Sequence, residues 1–383
     1  MPYAEGRVYY DADSHIMELP DWALNYAESK YRSRLPEIDL SAAGKMAEAF
    51  MELRGARAHD PKTVRELEEN IIGGPKGWAA LGSFNSSERT HALDLLGFQQ
   101  QLVFPTFSFL TYALAEDVEL LYAGVSAANR AMADFCRSDD RLLGVACVSL
   151  VDPKRAIQEI NECLKMGLSA IWVPSTPAGP RSPGHNDLDP VWARLAEAQV
   201  PFVLHVGGST LHIQTEYKNN GRPEPQDWLG GGENIRSKDM AILHQDPEKF
   251  LSCMILDGVL ERFPKLKGGI IELGAGWVPA LLNRLDSTVH LWSRSEPELR
   301  EMKRMPSEQI TQQLAFTPYP FENIGNLIRE SSEELYLFSS DYPHIEGGRD
   351  PIGRFESYLE GHSETTKEKF YKDNFARMMT LRP

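Results

Sequence analysis

Cysteine is scarce in this chain. Cys136, Cys147, Cys163 and Cys253 are the only four in 383 residues, and no two stand in C-x-x-C spacing. Neither a disulfide framework nor a thiolate metal site is expected from so few. There is no run of about 18 or more apolar residues and no signal-peptide pattern, which excludes a membrane span and points to a reducing, cytoplasmic setting. Lys/Arg clusters are also missing, and the net charge is −15. That balance disfavours a nucleic-acid or anionic-membrane partner and leaves a small molecule as the expected one, with homo-oligomerisation allowed. No short repeat or low-complexity segment interrupts the chain.

What is present is an alternation of two patterns. Short apolar or β-branched runs recur: RVYYDAD, QQQLVFPT (Gln99 to Thr106), LLGVACVSL, LSAIWVPS, PFVLHVGG, LKGGIIELG, QLAFTPYP and LYLFSSDYPH. Between the third and sixth runs lie DPKRAIQEINECLKMG, LDPVWARLAEAQV and PEKFLSCMILDGVLERFP, each pairing a helix-start signal with a 3.6-residue apolar period. Such alternation implies a parallel sheet, and eight units suggest an α/β fold closed as a (β/α)8 TIM barrel, a single domain over residues 1–383. Two stretches exceed a minimal barrel. Residues of about 19–96 carry the Gly-rich piece IIGGPKGW, and residues of about 209–245 carry GRPEPQDWLGGGEN. Both would follow a strand's C-terminal end, so they are expected to cover the active-site mouth.

Polar residues close several of the runs. In RVYYDADSHIMELPDW, period-two alternation would put Asp11, Asp13 and His15 on one face of a strand. His205 ends the fifth run, Glu272 the sixth and Asp341 the eighth. All five of Asp13, His15, His205, Glu272 and Asp341 would then share one rim of a barrel. Imidazole with carboxylate suits a divalent Zn, Mn or Fe ion, one or two of them. Asp11 lies two residues deeper and reads as structural.

The order DADSH, PFVLHVGG, RFPKLKGGIIELGAGWVPALLNRLD, LYLFSSDYPH resembles the amidohydrolase superfamily, in particular the amidohydrolase-related branch that includes aminocarboxymuconate semialdehyde decarboxylase. The resemblance spans nearly the whole chain. It implies Asp13, His15, His205 and Asp341 as metal ligands. Two departures stand out: Asp13 replaces the usual first His or Glu, and Glu272 replaces the sixth-strand His that serves the decarboxylases as acid/base. Because an imidazole shuttles protons near neutral pH more readily than a carboxylate, its loss favours hydrolysis. The expected activity is therefore attack of metal-activated water on an ester, thioester or amide carbonyl, with Asp341 taking the water's proton and Glu272 as ligand or base. The alternatives are nonoxidative decarboxylation or hydration of an aromatic or unsaturated acid, with His244 as a substitute proton carrier, and a catalytically silent ligand-binding barrel. Arg236, Trp277 and Phe107 are the candidate substrate-binding residues. Lys218 is a second loop cation, and His344, three residues past Asp341, is placed to orient it.

Overall fold

The computed structural model describes residues 2–40, 61–208, 213–223, 225 and 235–381. The chain divides into two compact units: Met1–Cys147 with Thr210–Ile242 and Ser339–Ile352, and Val148–Ser209 with Leu243–Phe338 and Gly353–Pro383.

In the first unit, β1 (Tyr10–Asp11) and β2 (His15–Ile16) both pair in parallel with β3 (Gln100–Pro105), which pairs in turn with β4 (Leu142–Cys147). The run expected as one strand is thus two short ones. Asp11 is the reason: its carboxylate accepts from Ser340 N at 2.7 Å, Ser340 Oγ at 2.6 Å and Gln101 Nε2 at 2.8 Å. A side chain here does work that a backbone ladder would otherwise do. It draws 340–342 alongside, where His15 N donates to Tyr342 O at 2.7 Å and Asp341 N to Asp13 O at 2.9 Å.

Helices α1 (Ser86–Leu96) and α2 (Val118–Cys136) flank these strands. Asn85 and Asp117 cap them by accepting from exposed first-turn amides, each worth about 1 kcal/mol. Gly97 closes α1 at φ +80, where a Cβ would also sit 2.7 Å from the Ala4 carbonyl. Within α2, Gly124 leaves room for Tyr112, whose ring a Cβ would meet at 2.4 Å.

The second unit carries β5 (Ala170–Trp172), β6 (Phe202–His205), β7 (Gly268–Ile271) and β8 (Leu314–Phe316), parallel and paired in that order. All four strands are buried, consistent with their continuous rather than alternating apolar runs. The expected helices are present: α3 (Pro153–Lys165), capped by Asp152, α4 (Asp189–Ala198), and α5 (Gln245–Leu256) followed by α6 (Val259–Arg262). The third read as one helix in sequence; Gly258, at φ +76, divides it after Asp257. Helix α7 (Val278–Trp292) follows β7, with Pro279 in its first turn.

The last apolar run, expected as an eighth strand, is extended chain with isolated parallel bridges. Tyr336 bridges to Phe316 in the second unit, and Tyr342 to Ser14 in the first. Asp341 at φ 52 turns the chain sharply and ends any continuous ladder.

Candidate functional site

In the first unit the tertiary structure brings Asp13, His15 and Asp341 together. His15 Nε2 lies 3.3 Å from Asp13 Oδ1 and 3.6 Å from Asp341 Oδ1. His344 joins them, its Nδ1 3.3 Å from Asp341 Oδ1 and its ring stacked on His15 with centroids 3.9 Å apart. All four side chains are buried.

Thr106, at the end of β3, sets the tautomers. Its hydroxyl proton goes to Ile16 O at 2.7 Å, so its oxygen is left to accept from His344 Nε2–H at 3.0 Å and His15 Nδ1–H at 3.4 Å. His15 Nε2 is then a lone pair facing two carboxylates. Two buried acids around an imidazole lone pair repel one another unless a cation lies among them, and this is the donor chemistry of a divalent site. Glu18 holds Thr106 in place: its buried carboxylate accepts from the backbone N–H of Thr106, Phe107 and Ser108 at 2.8, 3.2 and 3.0 Å. Burial pushes the Glu18 carboxyl up from its ordinary range, and these amides pull it back.

Beneath the cluster, the Arg89 guanidinium donates to His15 O at 2.9 Å and Ser14 Oγ at 3.1 Å. Part of the first insertion lies against the loop carrying Asp341. Gly77 N donates to Pro343 O at 2.9 Å, and the Tyr342 hydroxyl to Leu81 O at 2.6 Å. Residues 41–60 of that insertion lie outside the described residues.

The second unit places His205 against Glu272. The register of β6 on β7 sets His205 opposite Ile271, so Glu272 follows at the same strand end. His205 Nδ1–H donates to Val206 O at 2.8 Å, and its Nε2 lies 3.3 Å from Glu272 Oε2. Again an imidazole lone pair faces a carboxylate in a buried setting. Glu272 is held at φ 54 by Thr317 Oγ1, which accepts from its N–H at 2.8 Å, and by the Tyr319 hydroxyl, which donates to its carbonyl at 2.7 Å. The Trp172 ring packs against His205 at 4.8 Å. Among the described residues, Asp13, His15, Asp341 and His344 in the first unit, and His205 and Glu272 in the second, are buried side chains of the donor types that could hold a divalent ion.

The remaining candidates are placed differently. His244 is half-buried, stacked on Trp277 at 5.7 Å and 3.8 Å from Glu248; burial, then the Arg284 charge, hold its pKa below the usual histidine value. Trp277 donates its indole N–H to the carbonyls of Leu273 and Gly274, closing the turn after Glu272. Phe107 stacks on Trp78 at 5.5 Å and belongs to the apolar cluster of Met17, Leu19, Ile38, Leu40 and Trp78. Arg236 heads a short helix in the second insertion, where Lys218 pairs with Asp239 at 3.1 Å. Residues 209–212, 224 and 226–234 of that insertion lie outside the described residues.

Thr106 and Glu18 were missed in sequence. A threonine after a strand proline and a glutamate in a loop carry no local signal; only the fold brings them to His15 and His344.

A family model described as amidohydrolase matches residues 11–380. The chain belongs to the amidohydrolase family. An amidohydrolase from Mycobacterium avium subsp. paratuberculosis shares 25% identity, with a TM-score of 0.75 over 98% of this chain and 100% of its own. The fold class is therefore that of the (β/α)8 amidohydrolases. A 5-carboxyvanillate decarboxylase from Novosphingobium aromaticivorans, complexed with manganese and a nitrobenzoic acid, has the same fold, with a TM-score of 0.65 at 17% identity over 98% and 97% of the two chains. Among curated proteins, the gamma-resorcylate decarboxylase of Rhodococcus jostii is 26% identical over 229 residues, 56% of this chain and 65% of its own length. The chain thus spans under two thirds of that relative.

These relatives correct the expected reaction. Hydrolysis of an ester, thioester or amide is overturned by similarity to decarboxylases of aromatic acids in both sequence and structure. In place of a sixth-strand histidine, His344 sets an imidazole 3.3 Å from Asp341 Oδ1 from that residue's own loop. The buried imidazole and carboxylate donors of this amidohydrolase-family chain are of the kind that could hold a divalent ion. The ion in the solved relative above is manganese, and zinc and iron gain no particular support. Among the described residues, no helix is long and apolar enough to cross a membrane.

Proposed function

We propose that this enzyme is a metal-dependent, nonoxidative carboxy-lyase acting on an aromatic carboxylic acid that carries a ring hydroxyl. The observation that carries the reading is the Asp341–His344 pair, a buried acid backed by an imidazole at 3.3 Å. Decarboxylation of an arene requires a proton on the carbon that bears the carboxylate, and a water-shielded acid with its own proton supply is suited to give it.

The ligands proposed are Asp13, His15 and Asp341 of the first unit and His205 and Glu272 of the second. Their imidazole and carboxylate donors fit Mn²⁺. A bound divalent ion would supply positive charge to hold the substrate's carboxylate and a neighbouring oxygen. Asp341 then gives its proton to the ring carbon. The C–CO2 bond breaks, its electron pair restores the aromatic ring, and CO2 leaves. His344, with Nε2–H engaged by Thr106 and the ring aimed, takes a solvent proton at its Nδ1 lone pair between turnovers and passes it to Asp341, so one proton enters for each CO2 released. The single-domain organisation and the covering role of the two insertions belong to the same proposal, as do Arg236, Trp277 and Phe107 as substrate contacts and His244 as an auxiliary proton carrier.

The test is turnover of Mn²⁺-loaded protein on a panel of hydroxybenzoates, 2,6-dihydroxybenzoate among them, in D2O. One deuterium per CO2, at the former carboxyl carbon, is the expected result. No CO2 from any member, with ester or amide probes cleaved, would sink the reading.

A further inference from the structure

Lys76 stands apart from every role described so far. It sits in the Gly-rich piece of the first insertion, held on two sides: Gly77 N donates to Pro343 O at 2.9 Å, in the loop of Asp341 and His344, and Trp78 Nε1 donates to Glu18 O at 3.2 Å. The segment therefore has a fixed path past the first-unit cluster. Lys76 Nζ is buried and has no hydrogen-bond partner among the described residues. It lies 5.9 Å from the centroid of the Tyr342 ring, next in sequence to Asp341.

An ammonium has three donors, and a lysine stem is long enough to carry them to water when nothing nearby accepts them. Leaving them buried and unmet is costly. The surroundings only partly offset this: the charges of Asp341 and Glu346 favour the ammonium, Arg349 opposes it, and burial, the largest influence, lowers its pKa to about 8.

We infer that Lys76 forms a subsite for a second acidic group of the substrate, a carboxylate or phenolate distinct from the carboxylate that is lost. This rests on the carboxy-lyase reading. The departing carboxylate is the wrong occupant, because it becomes neutral CO2; a cation gripping it would stabilise the ground state more than the transition state and slow the reaction. A group that keeps its charge throughout gains the same stabilisation at every stage and serves binding and orientation. Lys76 thus selects aromatic acids with two acidic substituents over those with one.

The experiment measures binding without turnover, by calorimetry on the Mn²⁺-loaded full chain with isophthalate and benzoate, which differ by one carboxylate. Wild type should hold isophthalate about tenfold or more tightly than benzoate, the scale of a charge-assisted contact. Lys76→Met, which keeps an apolar stem, should erase that preference while leaving benzoate within about twofold. Lys76→Arg should retain part of it, and Glu346→Gln, which removes a competing carboxylate, should increase it. The inference is overturned if wild type shows no preference, if neither acid binds, or if Lys76→Met keeps the preference. Thermal unfolding of Lys76→Met separates lost binding from lost fold. A Lys76-dependent preference in a protein that releases no CO2 from any aromatic acid would leave the subsite standing and remove the proposed reaction.

Discussion

His15 and His205 belong to different units yet are held by the same logic. Each commits Nδ1, to Thr106 Oγ1 at 3.4 Å or to Val206 O at 2.8 Å, and each turns Nε2 toward carboxylate at 3.3 Å. Each neighbourhood also has an acid in the left-handed region, Asp341 at φ 52 and Glu272 at φ 54. Such a backbone costs about 1–3 kcal/mol for a non-glycine residue, so both acids are being aimed at the expense of stability. The difference is what stands behind them. Asp341 has His344 at 3.3 Å, an imidazole able to exchange a proton. The backbone at Glu272 is braced by Thr317 and Tyr319, whose hydroxyls hold its amide and carbonyl. On the proposed reading, the first arrangement passes a proton and the second keeps a charge still.

The sharpest way to break this contrast is Asp341→Asn. A general acid contributes roughly 10²–10⁴-fold, so decarboxylation should fall by about that factor. With the other proposed ligands Asp13, His15, His205 and Glu272 intact, manganese stoichiometry by mass spectrometry should hold at saturating Mn²⁺, and loss of metal in parallel with loss of rate would leave Asp341 a ligand alone and remove its role as general acid. Glu272→Gln should do the reverse. Metal affinity is expected to weaken by about 10–100-fold, the scale known for metal-site perturbations, with activity recovering as Mn²⁺ is raised. Activity that stays low at saturating metal would make Glu272 an acid/base group.

Thr106→Val keeps the shape of the side chain and removes the hydroxyl that fixes both histidines. About a tenfold loss in kcat with a displaced pH profile is expected, since a lost buried hydrogen bond costs about 1–3 kcal/mol. Thr106→Ser should restore most of it. An unchanged pH profile in the valine variant would reduce Thr106 to packing.

The smallest effect concerns two glutamate clamps. Glu18, fully buried, accepts from three amides beside the first cluster; Glu322, half-buried, accepts from Ala275, Gly276 and Tyr319 N–H at 3.0, 2.6 and 2.7 Å in the second unit. Glu18→Gln should cost about 2 kcal/mol in chemical denaturation and Glu322→Gln about half that, because water can reach the half-buried clamp and replace its lost bonds. Equal losses would show that burial does not separate them.

The order of chemistry along the chain was legible before the fold. Strand-terminal Asp13, His15, His205 and Glu272 could be picked out because a buried parallel strand is a short apolar run, and a polar residue closing it is conspicuous. His344 was legible from its spacing to Asp341, and the family from the same motifs. The expectation of hydrolysis rests on one imidazole at one position, and similarity to decarboxylases overturns it. A single position is a weak guide because an imidazole can reach an acid from a loop, as His344 reaches Asp341.

Local pattern and residue type thus settled the α/β class and the helices between the third and sixth runs, and marked the candidate donors, since these depend on side-chain period and residue chemistry alone. Tertiary structure decided the split of the first strand by Asp11, the left-handed turns that aim Asp341 and Glu272, the tautomers set by Thr106, and the burial of the Lys76 ammonium without a hydrogen-bond partner among the described residues. Each of these depends on hydrogen bonds or burial between residues tens to hundreds of positions apart, such as Asp11 with Ser340 across 329 residues. No local window contains such a pair, and the free energy that fixes it exists only once the chain has closed around it.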